Sequence, residues 1–257
     1  MRDQGLSEAI RVVGSVTELA RRLGISQPSV SNWTRIPAER VASVEQVTGI
    51  DRIALRPDLY SDPTPTTEVD DVDRARAQEY ALLATLLARA PDAALLRRLS
   101  GLRGDASPLG LAHAAIAEAA SRANDERTSR EFFDLFIGVG RGELMPYGSY
   151  YLTGFLYERP LARLREDLAA LGIERAEGQA EPEDHAPILS EMMSGLAGGD
   201  FGTPGADREF FLKHVAPWMG RFFADLERCE RAELYRHVGT LGRVFLDIEA
   251  EAFALPS

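Results

Sequence analysis

An amphipathic helix is predicted by residues 234–248, which read LYRHVGTLGRVFLDI. Apolar side chains recur there at steps of three or four residues, which is the spacing of one face of an α-helix. The same spacing is found over residues 161–171 and 211–226. Ala, Leu, Arg and Glu are abundant in this part of the chain and favour helix. Because no stretch shows the alternation of a half-buried strand, we predict an all-α bundle.

Composition and charge exclude several classes of protein. The chain has 257 residues, with 29 Lys and Arg against 40 Asp and Glu, and a formal net charge of −11. A single cysteine excludes a disulfide scaffold, and no apolar run reaches the length that spans a membrane. The first residues hold no continuous apolar stretch of the kind found in secretory signals. We therefore expect a cytoplasmic protein without membrane insertion.

The charge is distributed unevenly along the chain. Residues 1–60 carry 8 Arg against 7 acidic residues, whereas the remainder carries 21 basic residues against 33 acidic ones. The stretch SDPTPTTEVDDVD, which begins at Ser61, combines prolines, threonines and acids without apolar periodicity. Such a composition is typical of a linker. We predict a small N-terminal domain at 1–60, a linker at 61–74 and a larger helical domain at 75–257.

Residues 17–35, TELARRLGISQPSVSNWTR, have the spacing of a helix-turn-helix. Gly24 can adopt the left-handed conformation that the turn requires, and Ser26 can cap the second helix. At 100° per residue, Val30 and Trp33 fall on the inner side of that helix. The remaining polar side chains suit DNA: Gln27, Ser31 and Asn32 for the bases, and Arg22 or Arg35 for the phosphates.

This segment resembles the YdaS/Cro-like helix-turn-helix family in three pieces that follow in order. After the recognition helix come residues 36–49, IPAERVASVEQVTG, and residues 55–60, LRPDLY, as in that family. The resemblance implies DNA binding. A net charge of +1 supports such binding weakly, so a homodimer that pairs two recognition helices is considered as well. The alternative is a helical module kept for protein contacts.

Three clusters in the second domain depart from ordinary helix-face sequence. Residues 142–151, GELMPYGSYY, interrupt helicity and then offer tyrosines with apolar rings and polar tips. Residues 180–193, AEPEDHAPILSEMM, place acidic side chains at the start of a helix that we expect to begin near Pro182. Residues 210–223, FFLKHVAPWMGRFF, hold Pro217, which should interrupt a helix.

Catalytic and cofactor sites have little support in the sequence. Glu181 and His185 have i,i+4 spacing and could ligate a metal, but two ligands do not make a site, and a capping histidine is the simpler interpretation. Residues 138–143, GVGRGE, lack the third glycine of a dinucleotide fingerprint and follow a helix instead of a strand. Cys229 has no histidine or other base nearby in sequence. We predict a protein that is not an enzyme and that uses no metal or cofactor.

Together the three clusters resemble the TorD/DmsD/NarJ family of cytosolic chaperones for molybdenum-cofactor oxidoreductases, over roughly residues 75–255. The matching elements are PYGSYY at 146–151, EPEDH at 181–185 and HVAPW at 214–218, in the family's order. The resemblance implies an all-helical TorD-like bundle that binds an apo-molybdoenzyme, often with its twin-arginine signal peptide, before export. By position, it implies a peptide site lined by Pro146, Tyr147, Ser149, Tyr151, Asp184 and His185.

The chemistry of the residues is consistent with such a partner. A twin-arginine signal presents two guanidinium groups followed by an apolar stretch, so its receptor needs an apolar groove edged with carboxylates. The acidic excess of the second domain would also speed the encounter with a cationic peptide. Two functions stay open: a maturation chaperone with an attached DNA-binding-like module, or a transcriptional regulator whose helical domain senses a ligand or client.

Overall fold

The computed structural model of the protein describes residues 3–60, 70–173, 175, 178 and 180–255. The chain divides into two compact units, Met1–Glu68 and Val69–Ser257. Regular structure in the described ranges is helical throughout, apart from one isolated antiparallel bridge between Tyr147 and His185. The all-α prediction is therefore confirmed. Within the same ranges, no helix is both long enough and apolar enough to cross a membrane.

Short helices joined by tight turns make up the first unit. They are α1 (Gln4–Val13), α2 (Val16–Leu23), α3 (Gln27–Ser31), α4 (Val41–Thr48) preceded by a 3₁₀ turn (Ala38–Arg40), α5 (Arg52–Leu55) and α6 (Pro57–Tyr60).

Side-chain caps and left-handed glycines set the boundaries of these helices. The Asp3 carboxylate accepts a hydrogen bond from Leu6 N, and the Ser15 hydroxyl accepts one from Glu18 N, so the first free N–H groups of α1 and α2 are satisfied. Gly24 ends α2 at φ 67°, ψ 28°, as the turn was predicted to require. The buried core between the helices is apolar and contains Leu6, Ala9, Val13, Leu19, Ala20, Val30, Ile36, Val41, Val44 and Leu55.

Longer helices make up the second unit. They are α7 (Asp71–Ala88), α8 (Ala93–Leu99), α9 (Pro108–Arg122), α10 (Asp125–Phe132) continued by a π-helical turn (Phe133–Ile137), α11 (Gly148–Thr153), α12 (Arg159–Ala170), α13 (Ala186–Ala197), α14 (Ala206–Phe210) continued by a second π-helical turn (Phe211–Val215), α15 (Met219–Arg228) and α16 (Leu234–Ala254).

Helix α7 begins inside the stretch predicted to be a linker. The Asp70 side chain accepts a hydrogen bond of 2.7 Å from Asp73 N and caps the helix, whose first residue is Asp71. Residues 61–69, which form most of the predicted linker, lie outside the described residues. The last residues of the predicted linker, 71–74, therefore belong to helix α7.

The core of the second unit lies where α7 packs against α13 and where α16 packs against α9 and α15. Its largest fully buried side chains are aromatic: Tyr80, Phe211, Trp218, Phe222, Phe223 and Tyr235. Helices α15 and α16 approach closely at Gly239, because a Cβ atom there would lie 2.5 Å from Glu227 N. The helical chain is interrupted between Val215 and Met219, as expected at Pro217.

Candidate functional site

The segment that precedes α13 turns at residues 182–185 and pairs with the chain that precedes α11. Ala186 N donates to the carbonyl of Pro146 at 2.8 Å, and Gly148 N donates to the carbonyl of Asp184 at 2.9 Å. The expectation that the helix begins near Pro182 is wrong. Helix α13 begins at Ala186, because residues 182–185 form a turn closed by a hydrogen bond from His185 N to the carbonyl of Pro182, and the Asp184 carbonyl and the Ala186 N–H are used in the non-local pairing.

Asp184 connects this segment to the first turn of α11. Its Oδ2 accepts a hydrogen bond of 2.6 Å from Ser149 N. Both residues are buried, with Asp184 3% exposed and Ser149 fully buried. Asp184 Oδ1 and Ser149 Oγ are also buried, and neither atom has a hydrogen-bond partner within the described part of the chain. The site therefore contains a buried carboxylate oxygen that is available to an external donor.

Tyr147 and His185 form a stacked pair across the same bridge. Their rings lie 4.7 Å apart at an angle of 18°, and the Tyr147 hydroxyl donates to Glu181 Oε2 at 2.7 Å. Burial, and next the hydrogen bond to Glu181, raise the pKa of Tyr147. Burial lowers the pKa of His185 to about 4, although the carboxylates of Glu181 and Asp184 oppose that shift. His185 is thus neutral at pH 7. His185 occupies the N-cap position of α13, as the capping interpretation expected, but its side chain makes no capping hydrogen bond.

Tyr151 lies one turn further along α11 and contacts a different part of the fold. Its ring packs at 5.6 Å from that of Trp218 and at 6.0 Å from that of Phe222. Its hydroxyl donates to Asp225 Oδ2 at 3.0 Å. The structure therefore brings Pro146, Tyr147, Ser149, Asp184 and His185 together around one backbone pairing, with Tyr151 beside them.

Two cavities open on the two sides of residues 180–185. One is a groove of about 790 Å³, here called the α7–α13 groove. It is lined by Ala81 and Ala88 of α7, by Ile188 of α13 and by His185. A smaller cavity of about 380 Å³, here called the Trp218 cavity, is lined by Gly148, Asp184, Leu189 and Trp218. Asp184 lines the Trp218 cavity, whereas His185 lines the α7–α13 groove.

The α7–α13 groove has an acidic edge. Glu181, Glu191 and Asp200 line it and are exposed, and Arg89 is the cation among its described lining residues. The carboxylates of Glu191 and Asp200 have no ion-pair partner in the described ranges. The groove can therefore bind cationic groups above an apolar floor.

The charges of the Trp218 cavity are largely paired within the protein. His214 Nε2 lies 2.7 Å from Asp167 Oδ2, and Lys213 Nζ lies 2.8 Å from Glu209 Oε1. Burial lowers the pKa of His214, against the opposing effect of its hydrogen bond to Asp167. Trp218 Nε1 donates to the carbonyl of His214 at 2.8 Å, so the indole is held by its polar edge.

Sequence reasoning missed Glu191 and Asp200 as groove residues. A signal existed for Glu191, because it follows Ile188 by three residues on the face of α13 that also carries Gly195. Asp200 lies beyond the end of α13, where helical periodicity carries no information. No group of three or more His, Cys, Asp or Glu side chains in the described ranges is placed to hold a metal ion.

The helix-turn-helix residues occupy the positions that the spacing predicts. Val30 is fully buried and Trp33 packs partly against the core, whereas Gln27, Asn32 and Arg35 are exposed. Ser31 is half-buried, and its hydroxyl accepts a hydrogen bond of 2.8 Å from Gln27 Nε2. These residues thus lie on or just beyond the outer face of α3.

Arg22, the other phosphate candidate, has partners in its own helix and in α4, where its Nη1 donates to the carbonyl of Val47 at 3.4 Å. Its Nε donates to Glu18 Oε1 at 2.8 Å, and Arg21 binds the same carboxylate. A phosphate would have to compete with Glu18 for Arg22.

Comparisons with known proteins find relatives for each unit. The nitrate reductase delta subunit family matches residues 103–224, and the bacterial toxin YdaS family matches residues 6–64. The chaperone protein TorD of Vibrio cholerae is 27% identical over 203 residues, which cover 70% of this chain and 90% of that protein. YdaS of Escherichia coli is 40% identical over 58 residues, which cover 20% of this chain and 59% of YdaS.

A crystal structure of a provisionally assigned redox enzyme maturation protein from Archaeoglobus fulgidus covers 67% of this chain and 93% of its own, with 22% identity and a TM-score of 0.45. The TorD relatives are chaperones and not catalysts, in agreement with the prediction that this chain is not an enzyme. Residues 6–64 are therefore similar to the YdaS family, and the C-terminal unit is similar to the TorD chaperones and, over residues 103–224, to the nitrate reductase delta subunit family.

Proposed function

We propose that the C-terminal domain is a cytoplasmic chaperone that binds the apo form of a molybdenum-cofactor oxidoreductase together with its twin-arginine signal peptide. The observation that carries this proposal is the α7–α13 groove, with its acidic edge and apolar floor. The similarity to TorD chaperones supports the same class of partner. Binding before export would keep the client in the cytoplasm until its cofactor is inserted.

The arginine pair would bind at Glu181, Glu191 and Asp200. Hydrogen bonds between guanidinium and carboxylate groups are short and charge-assisted, and arginine can make two in parallel. Tyr147 holds Glu181 in place, so this carboxylate is preorganised. The neutral His185, stacked on Tyr147, adds a flat apolar wall without a repelling charge.

The other predicted residues would position this edge. The carbonyl of Pro146 and the N–H of Ser149 fix the segment on both sides of Tyr147. Tyr151 packs against the aromatic core through its ring and holds Asp225 through its hydroxyl. We assign contact with the peptide to Tyr147 and His185, and positioning to Pro146, Ser149 and Tyr151.

Calorimetry of the intact chain with a synthetic twin-arginine signal peptide tests this proposal. The variant Glu191→Gln, Asp200→Asn should bind about tenfold more weakly, because two exposed ion pairs at roughly 0.2–1 kcal/mol each are lost. The control variant Glu230→Gln, Glu251→Gln removes the same charge from exposed positions that do not line the groove. Equal affinities of the two variants would refute the assignment of the groove.

For the N-terminal domain we propose DNA binding through α3, since Gln27 and Asn32 are exposed while Val30 anchors the helix in the core. Bidentate pairing of these amides with adenine would read sequence, and Arg35 would bind phosphate. The small net charge implies weak binding by one copy and specific binding only by a pair. The similarity to YdaS, a provisionally assigned transcriptional regulator, supports this proposal.

Gel-shift experiments with the DNA upstream of the coding sequence test the second proposal. The variant Gln27→Ala, Asn32→Ala should lose the preference for this DNA over unrelated DNA. The variant Gln46→Ala changes an exposed glutamine of α4 and should keep it. Base reading by α3 is wrong if the double variant retains the preference.

A further inference from the structure

We infer that the Trp218 cavity is a second subsite for the same peptide, which receives its apolar stretch and offers Asp184 Oδ1 to one of its backbone N–H groups. The inference rests on the proposed peptide binding and divides the site into two parts. The arginine pair occupies the α7–α13 groove, and the apolar residues that follow occupy the Trp218 cavity.

The walls of the cavity suit apolar side chains. Pro160, Leu164, Leu189 and Trp218 line it, within a volume of about 380 Å³. Asp167 is already engaged by His214. The four apolar lining residues can therefore exclude water from an apolar side chain that enters the cavity.

Charged residues of both signs also line the cavity. Arg163 and Lys213 are both lining residues, and Glu166 is the exposed carboxylate beside them. Lys213 is already paired with Glu209, and Asp167 with His214. An uncharged segment of peptide would leave these pairs intact.

Exposed apolar side chains lie on the loop that joins two lining residues of the cavity. Leu152 and Pro160 both line the cavity. Between them in sequence, Phe155 and Tyr157 are each 69% exposed. Tyr157 has φ 62°, a left-handed conformation that is unfavourable for a residue with a Cβ atom. Large exposed apolar groups held by strained backbone are features of binding surfaces.

Asp184 supplies the polar contact that such a subsite needs. A carboxylate oxygen that is buried without a donor is costly, and Asp184 Oδ1 is in this state within the described part of the chain. A peptide in an extended conformation presents backbone N–H groups that need acceptors. One such N–H would satisfy Oδ1 without a charge of its own.

The order of the two subsites follows the order of groups in the peptide. Asp184 lines the Trp218 cavity and His185 lines the α7–α13 groove, so consecutive residues contribute to the two subsites. A peptide whose arginines lie in the groove can place the next residues across this segment and into the cavity.

Calorimetry of the intact chain with two peptides separates the subsites. One peptide is a twin-arginine signal peptide, and in the other both arginines are replaced by glutamine. The variant Leu152→Ser, Phe155→Ser should bind both peptides about tenfold more weakly, so that the ratio of the two affinities is unchanged. The control variant Leu111→Ser, Phe133→Ser changes exposed residues that do not line the cavity and should bind as the wild type does.

The variant Asp184→Asn should likewise weaken both peptides by one common factor. A selective loss of affinity for the arginine peptide would overturn the inference, because Asp184 would then bind arginine. Unchanged affinity of Leu152→Ser, Phe155→Ser would overturn it as well, even if Asp184→Asn fails to fold. If the wild-type chain binds neither peptide, both the inference and the proposed function are wrong; if it distinguishes the peptides while that double variant is unaffected, only the inference is.

Discussion

Ser149 N donates a hydrogen bond of 2.6 Å to Asp184 Oδ2, across 35 residues of sequence. It holds the first turn of α11 against the segment that leads into α13, while Gly148 N binds the carbonyl of the same aspartate. Asp184 therefore joins these two segments and also lines the Trp218 cavity, and its second carboxylate oxygen is buried without a partner in the described part of the chain.

This hydrogen bond predicts a larger loss of stability when Asp184 is truncated than when Ser149 is truncated. Asp184→Ala should lower the free energy of unfolding by about 1–3 kcal/mol, because it leaves the buried Ser149 N–H without an acceptor. Ser149→Ala should change it by less than about 1 kcal/mol, because the Ser149 hydroxyl has no partner in the described part of the chain. Urea unfolding measures both values. A larger loss for Ser149→Ala than for Asp184→Ala would contradict this description of the pair.

A buried cluster of charges between α7, α14 and α16 gives a second prediction. Arg76 binds Glu249 at 2.7 Å and Asp207 at 2.8 Å, and Glu249 is 1% exposed. Arg76→Met should cost about 3–5 kcal/mol, because it leaves a buried carboxylate unpaired. Arg122→Met removes an exposed pair with Glu118 and should cost less than about 1 kcal/mol. Thermal and urea unfolding should rank the two variants in this order, and a reversed or equal ranking would be inconsistent with it.

The close approach of α15 and α16 predicts different effects of one added methyl group at two glycines. Gly239→Ala places a Cβ atom against the backbone of Glu227 and Phe223, so we expect a loss of about 1–3 kcal/mol. At Gly220, inside α15, no atom lies within 4 Å of the added Cβ. Gly220→Ala should therefore stabilise the protein by about 0.4–1 kcal/mol. Denaturant unfolding compares the variants, and equal stabilities would rule out the tight helix contact.

Two histidines with opposite pKa shifts should change the stability of the protein in opposite directions as the pH falls. Burial lowers the pKa of His185 to about 4, so the unfolded chain binds a proton first and stability is lost as the pH falls from about 6.5 towards 4. The hydrogen bond to Glu79 raises the pKa of His113, so its contribution is present below about 6.5 and lost as the pH rises through the higher value.

Unfolding free energies at pH 7 and pH 5 test these signs. His185→Gln should lose less stability on acidification than the wild type, and His113→Gln should lose more. Other titrating groups are common to the three proteins and cancel in the comparison. The assignment of the shifts is wrong if either variant deviates in the opposite direction.

Local features of the fold were predictable from sequence, because neighbours along the chain determine them. The inward position of Val30 and the outward position of Gln27 follow from helical spacing. The left-handed turn at Gly24 follows from the permissive backbone of glycine. The interruption at Pro217 follows from the missing N–H of proline.

Features that depend on distant residues were not predictable. The start of α13 was placed too early, because residues 182–185 form a turn and the bridge to the chain before α11 uses the carbonyl of Asp184 and the N–H of Ala186. The division of the candidate site into two cavities depends on the same bridge. The pair of Arg76 and Glu249 joins residues 173 positions apart, which no local pattern encodes.

The central claim is that the C-terminal domain binds a twin-arginine signal peptide on both sides of residues 180–185. Hydrogen–deuterium exchange of the intact chain, measured by mass spectrometry with and without a saturating peptide, tests it most directly. The account predicts slower amide exchange in residues 81–89, 148–157 and 181–200, and unchanged exchange in α9. Protection confined to α9 and α10, or no protection within residues 181–200, would contradict it.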